Sequence, residues 1–159
     1  MEDNNYNNEM IAAFIDKEEK SLWYQLAFEK FNINGVDTMQ WNWSWWAFGG
    51  GFLYLLFRKQ YIASFVLFII SMTLGMIPFV GFGLAILSGG YASYFVYKGY
   101  KSKRAEVESH VQDTQMRIDT MRQVGGYHQW VVWVYALFVT FAMFGFVAMI
   151  LIPSMAFAS

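Results

Sequence analysis

Trp41-Asn42-Trp43-Ser44-Trp45-Trp46-Ala47-Phe48-Gly49-Gly50-Gly51 leads through Phe52–Phe57 into Arg58-Lys59-Gln60-Tyr61. Four Trp in six residues, a glycine triplet, a short apolar run and a cationic pair describe a segment that meets the edge of a bilayer. Indole rings favour the membrane–water boundary, where the ring lies in hydrocarbon and the N–H stays wet. Arg58 and Lys59 are expected at the headgroups, with their stems along apolar surface. The apolar run is too short for a standard crossing, and three consecutive glycines each weaken a helix by about 1 kcal/mol relative to Ala. A half-inserted or re-entrant element is expected, which keeps the N-terminal region on the cytoplasmic side. The rival is a tilted full span from Gln40, which places the acidic N-terminus outside.

Outward from this segment, the composition agrees. The chain is 57% hydrophobic and 14% charged over 159 residues, more apolar surface than one core of this length can hide. Residues 1–40 carry eight acidic side chains against Lys17, Lys20 and Lys30, and residues 98–129 carry six basic ones against four acids. No basic face dense enough for nucleic acid is present. With no Cys there is no disulfide framework or thiolate site. The acidic start, Met1-Glu2-Asp3-Asn4-Asn5, lacks the basic n-region of a signal peptide.

Residues 1–8 are expected to be disordered. From Glu9 to Phe31 an amphipathic helix, broken near Lys20, is expected from Ile11, Phe14, Ile15, Leu22, Leu26 and Phe28. Asn32–Asp37 is turn-rich. The expected fold is an all-α integral membrane protein with three clear transmembrane helices: Tyr61 to about Ile77, Phe79 to Tyr97, and Trp130 to Ile152. Pro78 breaks the first two into a transmembrane hairpin (61–97), and Pro153 stops the third, leaving Ser154–Ser159 as a tail. The remaining regions are a cytoplasmic 1–40, the Trp/Gly-rich 41–60 and a basic helix with a Gly-Gly turn over 98–129. Basic ends at Arg58-Lys59 and Lys98 place the hairpin's base in the cytoplasm. The expected location is the bacterial inner membrane, multi-pass, with a cytoplasmic N-terminus and a periplasmic C-terminus.

Between the second and third spans, Val107, Val111, Thr114, Ile118 and Met121 recur at 4-3-4-3 spacing, an a/d seam along a helix over Lys101–Gln123. It docks on the Glu9–Phe31 helix, on a second copy or on a partner. Gly81, Ala85, Gly89 and Ser93 share one face at intervals of four, and Ser71 and Gly75 repeat the theme. These small faces serve either the internal hairpin contact or an oligomer. Tyr91, Tyr94, Tyr97 and Tyr100 bracket the exit to Lys98 and Lys101. With Trp41, Trp43, Trp45, Trp46, His128 and Trp130 they are assigned to the membrane interface.

Trp43…Trp46-Ala47-Phe48-Gly49-Gly50-Gly51 and Tyr54-Leu55-Leu56-Phe57-Arg58-Lys59-Gln60-Tyr61 resemble the signature of a family of small bacterial membrane proteins labelled domain of unknown function 2628. Tyr94–Lys103 resembles the family's aromatic exit into a basic helix, and Arg122-Gln123-Val124-Gly125-Gly126 resembles the Gly-Gly that closes it. The resemblance covers about residues 24–126. It departs at Phe52–Leu55, which lacks a second Trp, and at Phe57, where the family has Tyr. It implies a topology and a bacterial inner membrane, and no activity.

Chemistry is sparse. No Asp, Glu, Lys, Arg or His lies inside 61–97 or 130–152 below the flanking Lys98, where such a residue would mark a site. His110 and His128 lack the spacing of metal ligands, and Gly49-Gly50-Gly51 lacks the Lys-Ser/Thr of a phosphate loop. No catalytic residue, metal or cofactor is expected. The favoured reading is a non-enzymatic accessory, scaffold or assembly subunit whose partners are the lipid bilayer and other membrane subunits or further copies of itself. The alternatives are a self-associated pore and a lipid- or quinone-binding protein.

Overall fold

The computed structural model describes residues 2–77 and 79–156. It divides into two units, Met1–His128 and Gln129–Ser159. Pro78, and Phe157–Ser159 of the expected tail, lie outside the described residues. In the first unit, α1 (Glu2–Ile15) and α2 (Glu18–Phe31) lead to a two-residue hairpin, β1 (Asn32–Ile33) and β2 (Val36–Asp37). An extended Thr38–Ser44 follows, then α3 (Trp45–Gly50), α4 (Phe52–Phe57), α5 (Tyr61–Leu74), α6 (Val80–His110) and α7 (Thr114–Val124). The second unit is α8 (Gln129–Ala156).

Helix is the dominant structure, as composition and periodicity predict, but several boundaries differ. Residues 2–8, expected to be disordered, form the start of α1. The break between α1 and α2 falls at Asp16, which takes a left-handed φ of 51°, and not near Lys20. The Asn34-Gly35 turn has φ of 53° and 83°, the pair of positive values that an antiparallel two-residue hairpin requires. The seam helix is split. α6 runs to His110, Val111 turns extended, and Asp113 caps α7 by accepting from Met116 N–H at 2.8 Å. An Asp there satisfies an orphan amide at a helix start and stops the preceding helix from running through. Val107, Ile118 and Met121 are buried, whereas Thr114 is exposed and Val111 only half-buried. Ile118 and Met121 join a core with Met10, Ile11, Phe14 and Ile15 of α1.

Among the described residues two helical stretches, not three, are long and apolar enough to cross a membrane: α6 and the stretch Thr114–Gly145. The apolar part of the latter belongs to α8, because α7 carries Arg117, Asp119 and Arg122. α5 is only 14 residues long. Gly75 ends it, and Ile77 N–H closes a tight turn on Leu74 C=O at 3.1 Å. α8 carries no charged residue and runs through Pro153 to Ala156. Its Trp133, Phe141 and Phe144 are each about two-thirds exposed or more.

The inner face of the first unit is an aromatic ladder. Tyr94, Tyr97 and Tyr100, three residues apart on α6, meet Phe31, Phe28 and Phe14 of α2 and α1. Ring centroids lie 5.4 Å apart for Phe31–Tyr94 and Phe28–Tyr97, and 5.5 Å apart for Phe14–Tyr100. Edge-to-face pairs of this kind contribute about 0.5–1.5 kcal/mol each beyond area burial.

Further along α6, Gly89 and Gly90 seat the Trp segment. Asn42 N–H donates to Gly90 C=O at 2.9 Å, and Ser44 N–H to Gly89 C=O at 2.8 Å. Asn42 Nδ2 donates to Ser93 Oγ, which donates to Asn42 C=O, both at 3.3 Å. Trp41 and Trp43 cover the two glycines. A Cβ on Gly89 would lie 2.8 Å from the Trp43 ring and 3.0 Å from Phe48 Cβ. The small face therefore serves an internal contact at Gly89 and Ser93, with the Trp strand and not with α5. At Gly83 a Cβ meets nothing within 4 Å. Gly89→Ala should thus destabilise by about 1–3 kcal/mol through overpacking. Gly83→Ala should be neutral or stabilise by about 0.5–1 kcal/mol, the usual helical gain over Gly. Thermal midpoints of the two variants in mild detergent check this; equal midpoints would remove the seat as a packing constraint.

Candidate functional site

The Arg58-Lys59 pair does not reach outward. α4 ends in a Schellman turn: Gln60 N–H returns to Leu55 C=O at 2.9 Å and Lys59 N–H to Leu56 C=O at 3.0 Å. Lys59 occupies the left-handed position, φ 58°, where Gly is the usual residue. The turn sends Arg58 inward, 5% exposed. Its guanidinium donates to Ile15 C=O at 3.0 Å and lies over the Tyr24 ring at 4.8 Å. Ile15 ends α1, whose last carbonyls need donors and favour a cation. Gly126 N–H supplies the neighbouring one, donating to Phe14 C=O at 2.7 Å. Lys59 Nζ donates to Gly125 C=O. The pair therefore ties α4, the end of α1 and the Gly-Gly turn together. Gly125 is needed because a Cβ there would meet Phe14 C=O at 2.5 Å.

Arg58, Tyr97 and Tyr100, expected at the membrane interface, lie instead in the interior, the two tyrosines 4% exposed. Tyr100 OH donates to Asn7 Oδ1 at 3.3 Å, and Tyr97 OH to Asp37 Oδ1 at 2.7 Å. Trp45 and Trp46 do face outward, 72% and 70% exposed, with Trp41 and Trp130 about half-exposed. Trp43 is half-buried with its Nε1 enclosed and without a partner. His128 Nε2 and Tyr61 OH share a 2.6 Å hydrogen bond.

At the foot of α6, Asp37 gathers three donors. Beside Tyr97, Lys101 Nζ lies 2.7 Å from Oδ1 and Lys98 Nζ 3.2 Å from Oδ2. Nothing in the sequence marks Asp37, because its partners stand some sixty residues away and come together only through the β1–β2 turn. The Lys101 hydrogen bond first, then that of Tyr97, hold its carboxyl well below the usual carboxylate range; partial burial opposes them and Lys98 adds to them. One turn further along, Arg104 Nε pairs with Glu108 at 2.8 Å while its Nη1 donates to Asn7 Oδ1 at 2.5 Å. Tyr97, Lys101, Arg104 and Glu108 border a groove of about 420 Å³ between α1, α2 and α6, with Asn7, Asn8, Gln25 and Glu29 on its walls and Ile11 and Phe28 beneath. Amides and tyrosines there offer both donors and acceptors, and Arg104 and Lys101 already have carboxylate partners. The chemistry suits a polar ligand or a partner's side chains. Asn7 and Asn8 sit in the stretch whose polar sequence predicts disorder, and which forms the start of α1.

The hydroxyls of Ser64, Thr73, Ser93 and Thr140 all donate to backbone carbonyls: Phe52, Ile69, Asn42 and Ala136. Among the described residues no three His, Asp or Glu side chains cluster as metal ligands.

Arg58→Gln should cost about 1.5–3 kcal/mol, the range for a hydrogen bond from a charged donor. Lys103→Gln, which removes an exposed pair with Glu106, should cost less than about 1 kcal/mol. Unfolding free energies of both variants test the difference. For Asp37, a folded-state pKa below the unfolded value of about 3.9 means that its stabilising effect is full above that value. It is lost as pH falls through the lower folded-state value. Stability scanned downward from pH 5 should therefore fall in the wild type, and Asp37→Asn should flatten part of that fall. An unchanged acid limb would contradict it.

Searches against protein families, curated proteins and solved structures find no match to the chain.

Proposed function

We propose that the chain is a non-enzymatic accessory, scaffold or assembly subunit of a bacterial inner membrane. In this reading α5 and the first half of α6 lie in the membrane as a hairpin, and α8 crosses it. The N-terminal region is cytoplasmic and the C-terminus periplasmic. Membership of the family that the Trp segment resembles belongs to the same proposal. The observation that carries it is a division of surfaces. Ile62, Phe65 and Met72 of α5 are 84%, 65% and 59% exposed, a degree that water would penalise and lipid would not. The water-facing side, by contrast, holds a packed aromatic core whose neighbouring charges largely pair with one another.

That water-facing side keeps a further apolar patch. Leu22 and Leu26, one turn apart on α2, are 64% and 54% exposed, and Val36 of the β-turn is 63% exposed. Helical spacing places Glu18, Glu19 and Glu29 beside the leucines, against the single Lys30, a mainly acidic rim suited to a basic amphipathic partner segment. Extraction in mild detergent, followed by crosslinking and native purification, should recover the chain with a membrane protein partner or with further copies of itself. Leu22→Glu with Leu26→Glu should reduce that recovery by roughly tenfold or more, about 1.4 kcal/mol or greater, without altering the thermal midpoint. A monodisperse monomer without partners would sink the proposal.

A further inference from the structure

We infer that the α5–α6 hairpin is a wedge for one leaflet of the bilayer, entering from the side that bears Lys98 and Lys101 and ending with its tip among acyl chains near the midplane. The inference rests on the membrane reading above and states how deep this element goes. Its first support is length. The 14 residues of α5 rise about 21 Å at 1.5 Å per residue. On α6, the distance from the Trp seat at Gly90 to the first residue, Val80, is about 15 Å on the same rise. The hydrocarbon core is about 30 Å thick. With the Trp segment at one interface, the α6 arm thus reaches the middle, and α5 too is shorter than the full core.

The second support is the chemistry of the tip. Leu74–Leu87 contains only apolar side chains, glycine and Pro78. Met76 and Phe79 are 88% and 90% exposed, so they shelter nothing and are sheltered by nothing in the chain. A crossing hairpin would show its turn to water on the far side and mark that interface with Trp, Tyr or charge. None of the seven Trp and ten Tyr falls between residues 62 and 90, and no charged residue between 60 and 97. On the hairpin they flank the base: Trp41 and Trp43 at the seat, Trp45 and Trp46 at the start of α3, Tyr61 at the start of α5, and Tyr91 against Trp41 at 5.3 Å.

The third support is the backbone. Hydrocarbon offers no hydrogen-bond partner, so a turn ending there must pair its own amides. Gly75 N–H donates to Ser71 C=O at 2.9 Å, Ile77 to Leu74 at 3.1 Å, Val80 to Ile77 at 3.1 Å and Gly83 to Phe79 at 3.0 Å. Proline brings no N–H to satisfy. Gly81 and Gly75 approach so closely that a Cβ on Gly81 would lie 3.1 Å from Gly75 C=O. Four amides of the turn are thus paired within it, and its side chains are apolar. Its occupant is the acyl-chain region of one leaflet, whose area the wedge expands while leaving the other leaflet untouched.

The absence of native cysteine makes the test direct. Met76→Cys, Phe79→Cys and the exposed foot position Ser102→Cys are made singly in the full chain and held in sealed inner-membrane vesicles. Ser102→Cys should react with a membrane-impermeant maleimide on one side only, and the two tip variants on neither. Spin labels at the tip should show high contact with oxygen and low contact with a water-soluble nickel chelate, the signature of the midplane. Tip labelling from the side opposite Ser102→Cys would mean a crossing hairpin and overturn the inference while sparing the membrane reading. Tip labelling from the same side as Ser102→Cys, or release of the whole chain by alkaline carbonate, would overturn both.

Discussion

An extended strand can lie against a helix only where the helix offers carbonyls and no side chains. Gly89-Gly90 is that place on α6. Two amides of Trp41–Ser44 donate to its carbonyls, Asn42 and Ser93 close a side-chain exchange across it, and the rings of Trp41 and Trp43 occupy the space that two Cβ atoms would fill. This contact holds the Trp segment to α6. It fixes where the β1–β2 turn delivers Asp37, and therefore which α6 lysines meet that carboxylate. It also sets where α3 starts, since Ser44, held at the seat, caps α3 by accepting from Ala47 N–H at 3.3 Å.

A second constraint comes from the end of α1. Helix carbonyls at a C-terminus need donors, and Arg58 and Gly126, from opposite sides of the chain, supply them at Ile15 and Phe14. One cation thereby links the first helix to the Trp/Gly-rich region, and one glycine links it to the turn after α7. Two buried nitrogens, Trp43 Nε1 and Arg58 Nε, stay without partners in these same contacts. An unmet buried donor costs about 1–3 kcal/mol, which the surrounding aromatic packing must offset.

Apolar stretches, glycine positions and the helical class were legible because they follow from local pattern. Gly125-Gly126 following α7 and the Asn34-Gly35 turn are each readable from the residues themselves, whereas the end of α5 at Gly75 is not, since the apolar pattern continues to Ile77. The burial of Arg58 was not, because a cation beside aromatics and glycines reads equally as a headgroup anchor; only the left-handed turn at Lys59 directs it inward. Tyr94, Tyr97 and Tyr100 spaced by three suit an interface belt as well as a core stripe. Phe14, Phe28 and Phe31, distant in sequence, make them a core. The division of the seam at Val111–Asp113 was hidden by a heptad spacing that continues across a capping Asp.

The residues alone determined that this chain is helical, that it is rich in long apolar stretches, and that no Trp, Tyr or charged residue stands between residues 62 and 90. Periodicity and composition are enough for that, since each concerns neighbours along the chain. Tertiary structure decided how long α5 is, which of the small residues are covered and by what, and which cations face inward. Those answers turn on contacts between residues tens of positions apart: Ile15 with Arg58, Asp37 with Lys101, Asn42 with Gly90. No local spacing encodes such distances, because they exist only in the folded chain.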